Sequence, residues 1–150
     1  MEEQEIFDFQ ILKLTEEFYN NYPQKEYPEL LKKEKRGYNC LLIQTHYDYF
    51  VCIPYRSEIH HKYAFKFQNT KRSKKHNSGL DYSKIVIIKN HDFISSESAM
   101  IDRDEYMKTK RFISKIVKES LQYIDEDFNR KYGMSTLKYF HKELSIQSEQ

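Results

Sequence analysis

Two apolar, aromatic-rich runs, Tyr38 to Thr45 and Tyr49 to Ile53, stand back to back across His46-Tyr47-Asp48, and this is the strongest hairpin signal in the chain. A sheet is therefore the frame that everything else must fit. Ile6 to Leu14 alternates Phe7, Phe9 and Ile11 with Asp8 and Gln10 and reads as a first strand. Tyr63, Phe65 and Phe67 alternate with Ala64 and Lys66, Lys84 to Ile88 gives another short β-branched run, and Phe93-Ile94 adds a strand edge. Pro54 has no N–H for a central ladder, so pairing is expected to stop there, leaving Arg56 and Ser57 at a strand end.

Helices surround that frame. Thr15 caps a short helix running to about Asn21, and Pro28 starts another over Glu29 to Lys33. Asp104 is expected to cap a long helix whose apolar stripe holds Tyr106, Phe112, Ile113, Ile116, Val117, Leu121 and Ile124. Its other face carries Lys108, Lys110, Lys115, Lys118 and Glu119. Gly133 stops it, and Ser135 or Thr136 caps a short last helix with Leu137, Phe140 and Leu144. The order predicts an α+β domain on an antiparallel, partly barrel-like sheet, with residues 1–150 forming one domain. With 39% hydrophobic and 15% aromatic residues, and only three glycines and three prolines, the chain can bury one core without long disordered linkers.

Cys40 and Cys52 fall in apolar strands, which predicts buried free thiols and a reducing compartment. No apolar run approaches the roughly 18 residues of a membrane span, and the acidic start is unlike a signal peptide, so a cytoplasmic protein with no membrane contact is expected.

Charge is distributed unevenly. The whole chain carries a net charge of +2, yet Pro54 to Lys89 holds nine lysines and arginines against Glu58 and Asp81 alone. Arg56, Lys62, Lys66, Lys71, Arg72, Lys74, Lys75 and Lys84 belong to this strip, and Gln68 to Ser83 reads as a long polar loop. Cations beside Ser57, His60 and His61 suit a polyanion, and RNA cleavage without metal requires a base for the 2′-OH, an acid for the leaving 5′-oxygen and donors for the charged phosphorane-like state. His60 and His61 are adjacent, so in an extended segment they point to opposite faces and only one aims with Ser57. Among the tyrosines, 38, 55, 63 and 82 can either stack on bases or pack in the core. Other chemistries lack their residues: His60-His61 has no spaced partners for zinc, the cysteines form no CxxC pair, and neither a Walker loop, a GxGxxG turn nor a GxSxG elbow is present.

An ordered set of short motifs gives these residues a second meaning. Lys35-Arg36-Gly37-Tyr38 leads into the hairpin, Pro54-Tyr55-Arg56-Ser57 is followed by His60, and Lys71-Arg72-Ser73 runs on to Ser78-Gly79-Leu80-Asp81-Tyr82-Ser83-Lys84. With the ending Thr136 to Leu144, this set resembles the ToxN/AbiQ superfamily of type III toxin–antitoxin endoribonucleases, closest to its CptN/TenpN branch. The resemblance implies a fold like that of the MazF/Kid toxins and metal-independent cleavage to 2′,3′-cyclic phosphate and 5′-OH ends. It implies no cofactor. It also implies an inhibitor made of a small repeat RNA pseudoknot that the toxin trims and then binds in a closed toxin–RNA assembly, with cellular and phage RNA as substrates. Family active-site positions that match are Ser57 and Lys35, and the resemblance leaves the general base open, so the role of His60 comes from the residues themselves.

The expected site is thus Ser57, His60, Arg56 and Lys35 at the scissile phosphate. Tyr38, His61, Lys62, Lys66, Lys71, Arg72, Lys74, Lys75, Tyr82 and Lys84 are the expected RNA contacts. Two rivals remain: an RNA-binding module without catalysis, and a MazF-like toxin held by a protein antitoxin, which calls for an exposed apolar groove.

Overall fold

The computed structural model describes residues 9–22, 39–44 and 49–132. The helix expected over 29–33, the turn at 46–48, Gly133 and the last helix lie outside the described residues, as do Lys35 and Tyr38. Seven strands make one sheet: β1 (Phe9–Leu14), β2 (Cys40–Gln44), β3 (Phe50–Arg56), β4 (Ala64–Lys66), β5 (Gly79–Asp81), β6 (Val86–Ile88) and β7 (Ile94–Ser98). The order is β4-β5-β3-β2-β1-β7, with β6 pairing to β3 off this path. Every pairing is antiparallel, and the fold is α+β. The sheet does not close: β4 and β7 end the path unpaired to each other, so the barrel-like curl expected from sequence is replaced by an open sheet.

Pro54 does not end pairing. It sits within β3 opposite Cys40, and the strand runs on to Arg56. The reason lies in the far edge of β3, which is shared: β6 pairs with it from Phe50 to Cys52, and β5 from Tyr55 to Arg56. Because the Tyr55 N–H donates to Asn39 O on the β2 side, the nitrogen of Pro54 faces the other side, into the gap between the two partners. A missing N–H costs nothing there.

The period of two sorts the strands onto two cores. Ile11, Leu41, Ile43, Val51, Ile53 and Tyr55 face one way and pack on α4 (Ile113–Tyr132) through Ile116 and Val117. Leu12, Leu14, Cys40, Leu42 and Cys52 face the other way, onto Phe18 and Tyr19 of α1 (Glu16–Asn21). Each fully buried aliphatic side chain contributes about 1.5–3 kcal/mol, so these two faces are the main stabilising term. Thr15 caps α1 as expected, its hydroxyl accepting from Phe18 N at 3.4 Å. Both cysteines are buried free thiols; burial pushes the Cys40 thiol up to about 12 and Cys52 well above its ordinary value, which keeps them protonated. No helix among the described residues is long and apolar enough to cross a membrane.

The segment Gln68 to Ser83 is structured rather than a loop. It holds α2 (Ser73–His76), then β5, then a 3₁₀ turn, Tyr82–Lys84. Thr70 and Ser73 exchange hydrogen bonds between side chains and backbone N–H groups, and Lys71 N donates to Asp104 Oδ2 at 2.8 Å, tying the segment to α3 (Arg103–Arg111). Asp102, not Asp104, occupies the helix cap. Helix α3 gives way to α4 after Phe112, and one buried stripe crosses the break through Glu105, Thr109, Ile116, Val117 and Ser120, so that polar residues are buried one position before Tyr106 and Leu121, which are exposed. The buried polar groups are paired. Ser78 Oγ donates to Glu105 Oε2 at 2.6 Å, Thr109 Oγ1 donates to Glu105 O, and Tyr55 Oη lies 3.0 Å from Thr109 Oγ1.

Gly79 explains how β5 fits between β3 and β4. A Cβ there would strike the Phe65 carbonyl oxygen and crowd Lys66 Cα. Gly79→Ala is expected to destabilise the chain by about 1–3 kcal/mol, as overpacking does. Urea unfolding should show a lower midpoint with an unchanged slope, and an unchanged midpoint would contradict this packing.

Candidate functional site

The residues after β3 are placed by two local facts. Ile59 is buried, which pins the loop, and Glu58 takes a left-handed backbone (φ 58°), uncommon for a residue with a Cβ. Glu58 N donates to His76 O and Ile59 N to Asn77 O at 3.1 Å, so α2 holds the sharp turn. Ser57 is left half-buried at the strand end, and His60 points outward with 69% of its side chain exposed. His60 Nε2 lies 3.6 Å from Glu58 Oε2, and His76 Nδ1 lies 2.8 Å from Glu58 Oε1.

His61 lies in a bend, is half-buried and has other partners than His60. Its Nδ1 accepts from Tyr63 N at 3.0 Å, which leaves the ring proton on Nε2. That nitrogen lies 3.2 Å from Asp81 Oδ1 and 3.3 Å from Ser83 Oγ. Asp81 is the centre of the group, with its side chain wholly buried. Arg56 Nη1 donates to Oδ2 at 2.6 Å; Ser83 Oγ and Ser83 N donate to Oδ1 at 2.6 and 2.9 Å. Burial pushes the Asp81 carboxyl up, but the Ser83 hydroxyl, the Arg56 guanidinium, the nearby His61 and the Ser83 N–H together outweigh it. The carboxyl is held below its ordinary value.

Arg56 is thus clamped at one nitrogen while 27% of its side chain stays exposed, and among the described residues its other guanidinium donors make no side-chain hydrogen bond. A guanidinium in that state offers a fixed fork to a phosphate oxygen. Lys62, Lys66, Lys71, Arg72, Lys74 and Lys75 are exposed, Arg72 lying 3.7 Å from Asp102, and Lys84 is half-buried in the 3₁₀ turn. Tyr82 is buried at 4% exposure with its hydroxyl donating to Glu119 Oε1, so it walls the core and presents no open ring. The structure therefore joins Arg56 and His61, and does not join His60 to them. Asp81 and Ser83 went unassigned from sequence because a lone acid in a basic stretch looks like solvated charge; the Asp81-Tyr82-Ser83 spacing of a carboxylate capping its own turn was the available signal.

Two concavities lie elsewhere. One, of about 530 Å³, mixes Gln10, Gln44 and His91 with Leu42, Phe50 and Ile94, and the other, of about 600 Å³, lies along α3 at Lys71, Asp102 and Met107. Neither is lined by Arg56 or its partners, and neither has a purely apolar lining. No group of histidine, cysteine and carboxylate side chains among the described residues is arranged to hold a metal ion. The chain matches no protein-family model, no curated protein and no solved structure.

Because the Asp81 carboxyl is held low, its stabilising contribution is present above the unfolded value and lost as pH falls through the folded one. Asp81→Asn is expected to cost about 1–3 kcal/mol at neutral pH, toward the lower end because water still reaches Arg56. The gap to wild type should begin to narrow below the ordinary value of 3.8. Denaturant midpoints of both proteins across pH 7 to about 3 check this; a gap that widened on acidification would be inconsistent with the network.

Proposed function

We propose that this protein is a metal-independent endoribonuclease of the ToxN/AbiQ kind, nearest the CptN/TenpN branch, with a MazF/Kid-like fold. The observation that supports it best is the Arg56 guanidinium, fixed by a buried carboxylate at a strand end, followed at once by the half-buried Ser57 hydroxyl and flanked by exposed lysines. Arg56 would grip a non-bridging phosphate oxygen as charge develops, and Ser57 would donate to the same group. His60, facing solvent, is the imidazole open to proton transfer: it takes the proton from the ribose 2′-OH, the 2′-oxygen attacks the adjacent phosphorus, the bond from phosphorus to the 5′-oxygen breaks, and the departing 5′-oxygen takes its proton from water. The products are a 2′,3′-cyclic phosphate and a 5′-hydroxyl. The family site position matched by Lys35 lies outside the described residues.

By the same resemblance, the inhibitor is a small repeat RNA pseudoknot that occupies the cationic strip and is trimmed there, giving a closed toxin–RNA assembly acting in the cytoplasm on cellular and phage RNA. A second reading, an RNA-binding module without catalysis, draws on His61. Both of its ring nitrogens contact protein groups, Tyr63 N and Ser83 Oγ, so the imidazole linked to Arg56 through Asp81 is committed to that network.

Incubating the protein with RNA and a chelator separates the two. Cleavage with cyclic-phosphate ends is expected, and His60→Ala should slow it by about 10²–10⁴-fold while RNA binding persists. Ser57→Ala should also lose cleavage, with its thermal midpoint near that of wild type. Full activity in both variants would remove these roles, and binding without any cleavage would leave the module.

A further inference from the structure

We infer that Tyr63, set beside Tyr123, is a nucleobase platform that works with Arg56 as one subsite for single-stranded RNA. Its ligand class rests on the RNA reading above, but not on catalysis. Tyr63 is 40% exposed, while Tyr55 and Tyr82 are buried. Its ring centroid lies 5.5 Å from that of Tyr123 and 6.0 Å from the His61 ring, and the Lys62 ammonium lies 5.4 Å from it. The ring is a fixed surface rather than a loose one, because both backbone groups of Tyr63 are tied: its N–H donates to His61 Nδ1, and its carbonyl accepts from Tyr82 N, each at 3.0 Å.

The tie leads directly to the phosphate anchor. Tyr63 N–H bonds His61, His61 Nε2 reaches Asp81 and Ser83, and Asp81 holds Arg56. An exposed aromatic ring and a guanidinium with 27% of its side chain exposed are thus linked through a buried carboxylate, with a lysine over the ring. That combination of a π-face, a cation beside it and a phosphate fork is what a base and its neighbouring phosphate require, and it tolerates any base. Among the described residues, the other tyrosines at similar exposure lack this link. Tyr22 packs on Phe18 and Phe93 beyond the acidic first turn of α1, and Tyr106 packs on Phe9. In the platform role His61 is a positioning residue, which accounts for an imidazole beside Arg56 whose two nitrogens are both engaged.

The chain has no tryptophan, so Tyr63→Trp gives a single reporter. Titration of this variant with a 2′-O-methylated single-stranded RNA of mixed sequence, which cannot be cut, should quench its fluorescence saturably. In anisotropy with the same labelled strand, Tyr63→Ala should bind roughly 5- to 150-fold more weakly and Tyr63→Phe like wild type. The dependence of affinity on salt should stay the same in all three, since no phosphate contact is removed. Wild-type affinity in Tyr63→Ala, tryptophan emission unmoved at saturation, or no binding of the strand by wild type would each overturn the platform. Tyr63-dependent binding by a protein that leaves RNA uncut would support the platform while removing the nuclease; cleavage with undiminished binding in Tyr63→Ala would do the reverse.

Discussion

A carboxylate buried away from solvent has to be surrounded by donors, and Asp81 shows what that requirement does to a fold. Its two oxygens collect the Arg56 guanidinium, the Ser83 hydroxyl and the Ser83 N–H, with the His61 ring alongside. Those groups come from the end of β3, the turn after β5 and the loop between β3 and β4. Removing the charge would weaken the hold on all three segments together, because each bonds the same side chain. The same clamp leaves part of Arg56 exposed at the strand end, so the stability of the corner and its capacity to receive an anion have one origin.

A second polar seam fixes the helix above the sheet. Glu105 and Thr109 would be expected on the wet side of α3, yet both are buried, joined to Ser78 and Tyr55 across the interface. Burial raises the Glu105 carboxyl above its ordinary value; the Ser78 hydroxyl and Arg72 pull the other way without cancelling it, and Asp102 and Asp104 add to it. Glu105 therefore carries the opposite linkage to Asp81: its contribution to stability is lost as pH rises through its folded value, whereas that of Asp81 is lost as pH falls. Among the described residues no buried side-chain nitrogen or oxygen lacks a partner, which is the condition under which such seams orient a helix rather than weaken it.

Much of the sheet was legible because it depends on near neighbours. The alternation at the start of β1, the apolar runs at 40–44 and 50–53, the Thr15 cap and the buried thiols all follow from periodicity, residue type or one local hydrogen bond. β5 was not legible: three residues with one apolar side chain carry no pattern, and Gly79-Leu80-Asp81 is a strand only because β3 and β4 flank it. The continuation of β3 through Pro54 was hidden for the same reason, since the absent N–H matters only if a partner lies opposite, and the division of one edge between β5 and β6 leaves none.

The sequence by itself determined that a basic strip with a serine and two histidines begins where a strand ends, because residue type, charge and alternation are local properties. Which histidine joins Arg56, and that a lone aspartate rather than either imidazole sits at the centre, only the tertiary structure decided. The physical reason is distance along the chain: Arg56 and Asp81 are brought together by β3 pairing with β5, and a contact made by strand pairing leaves no periodic trace in the residues that make it.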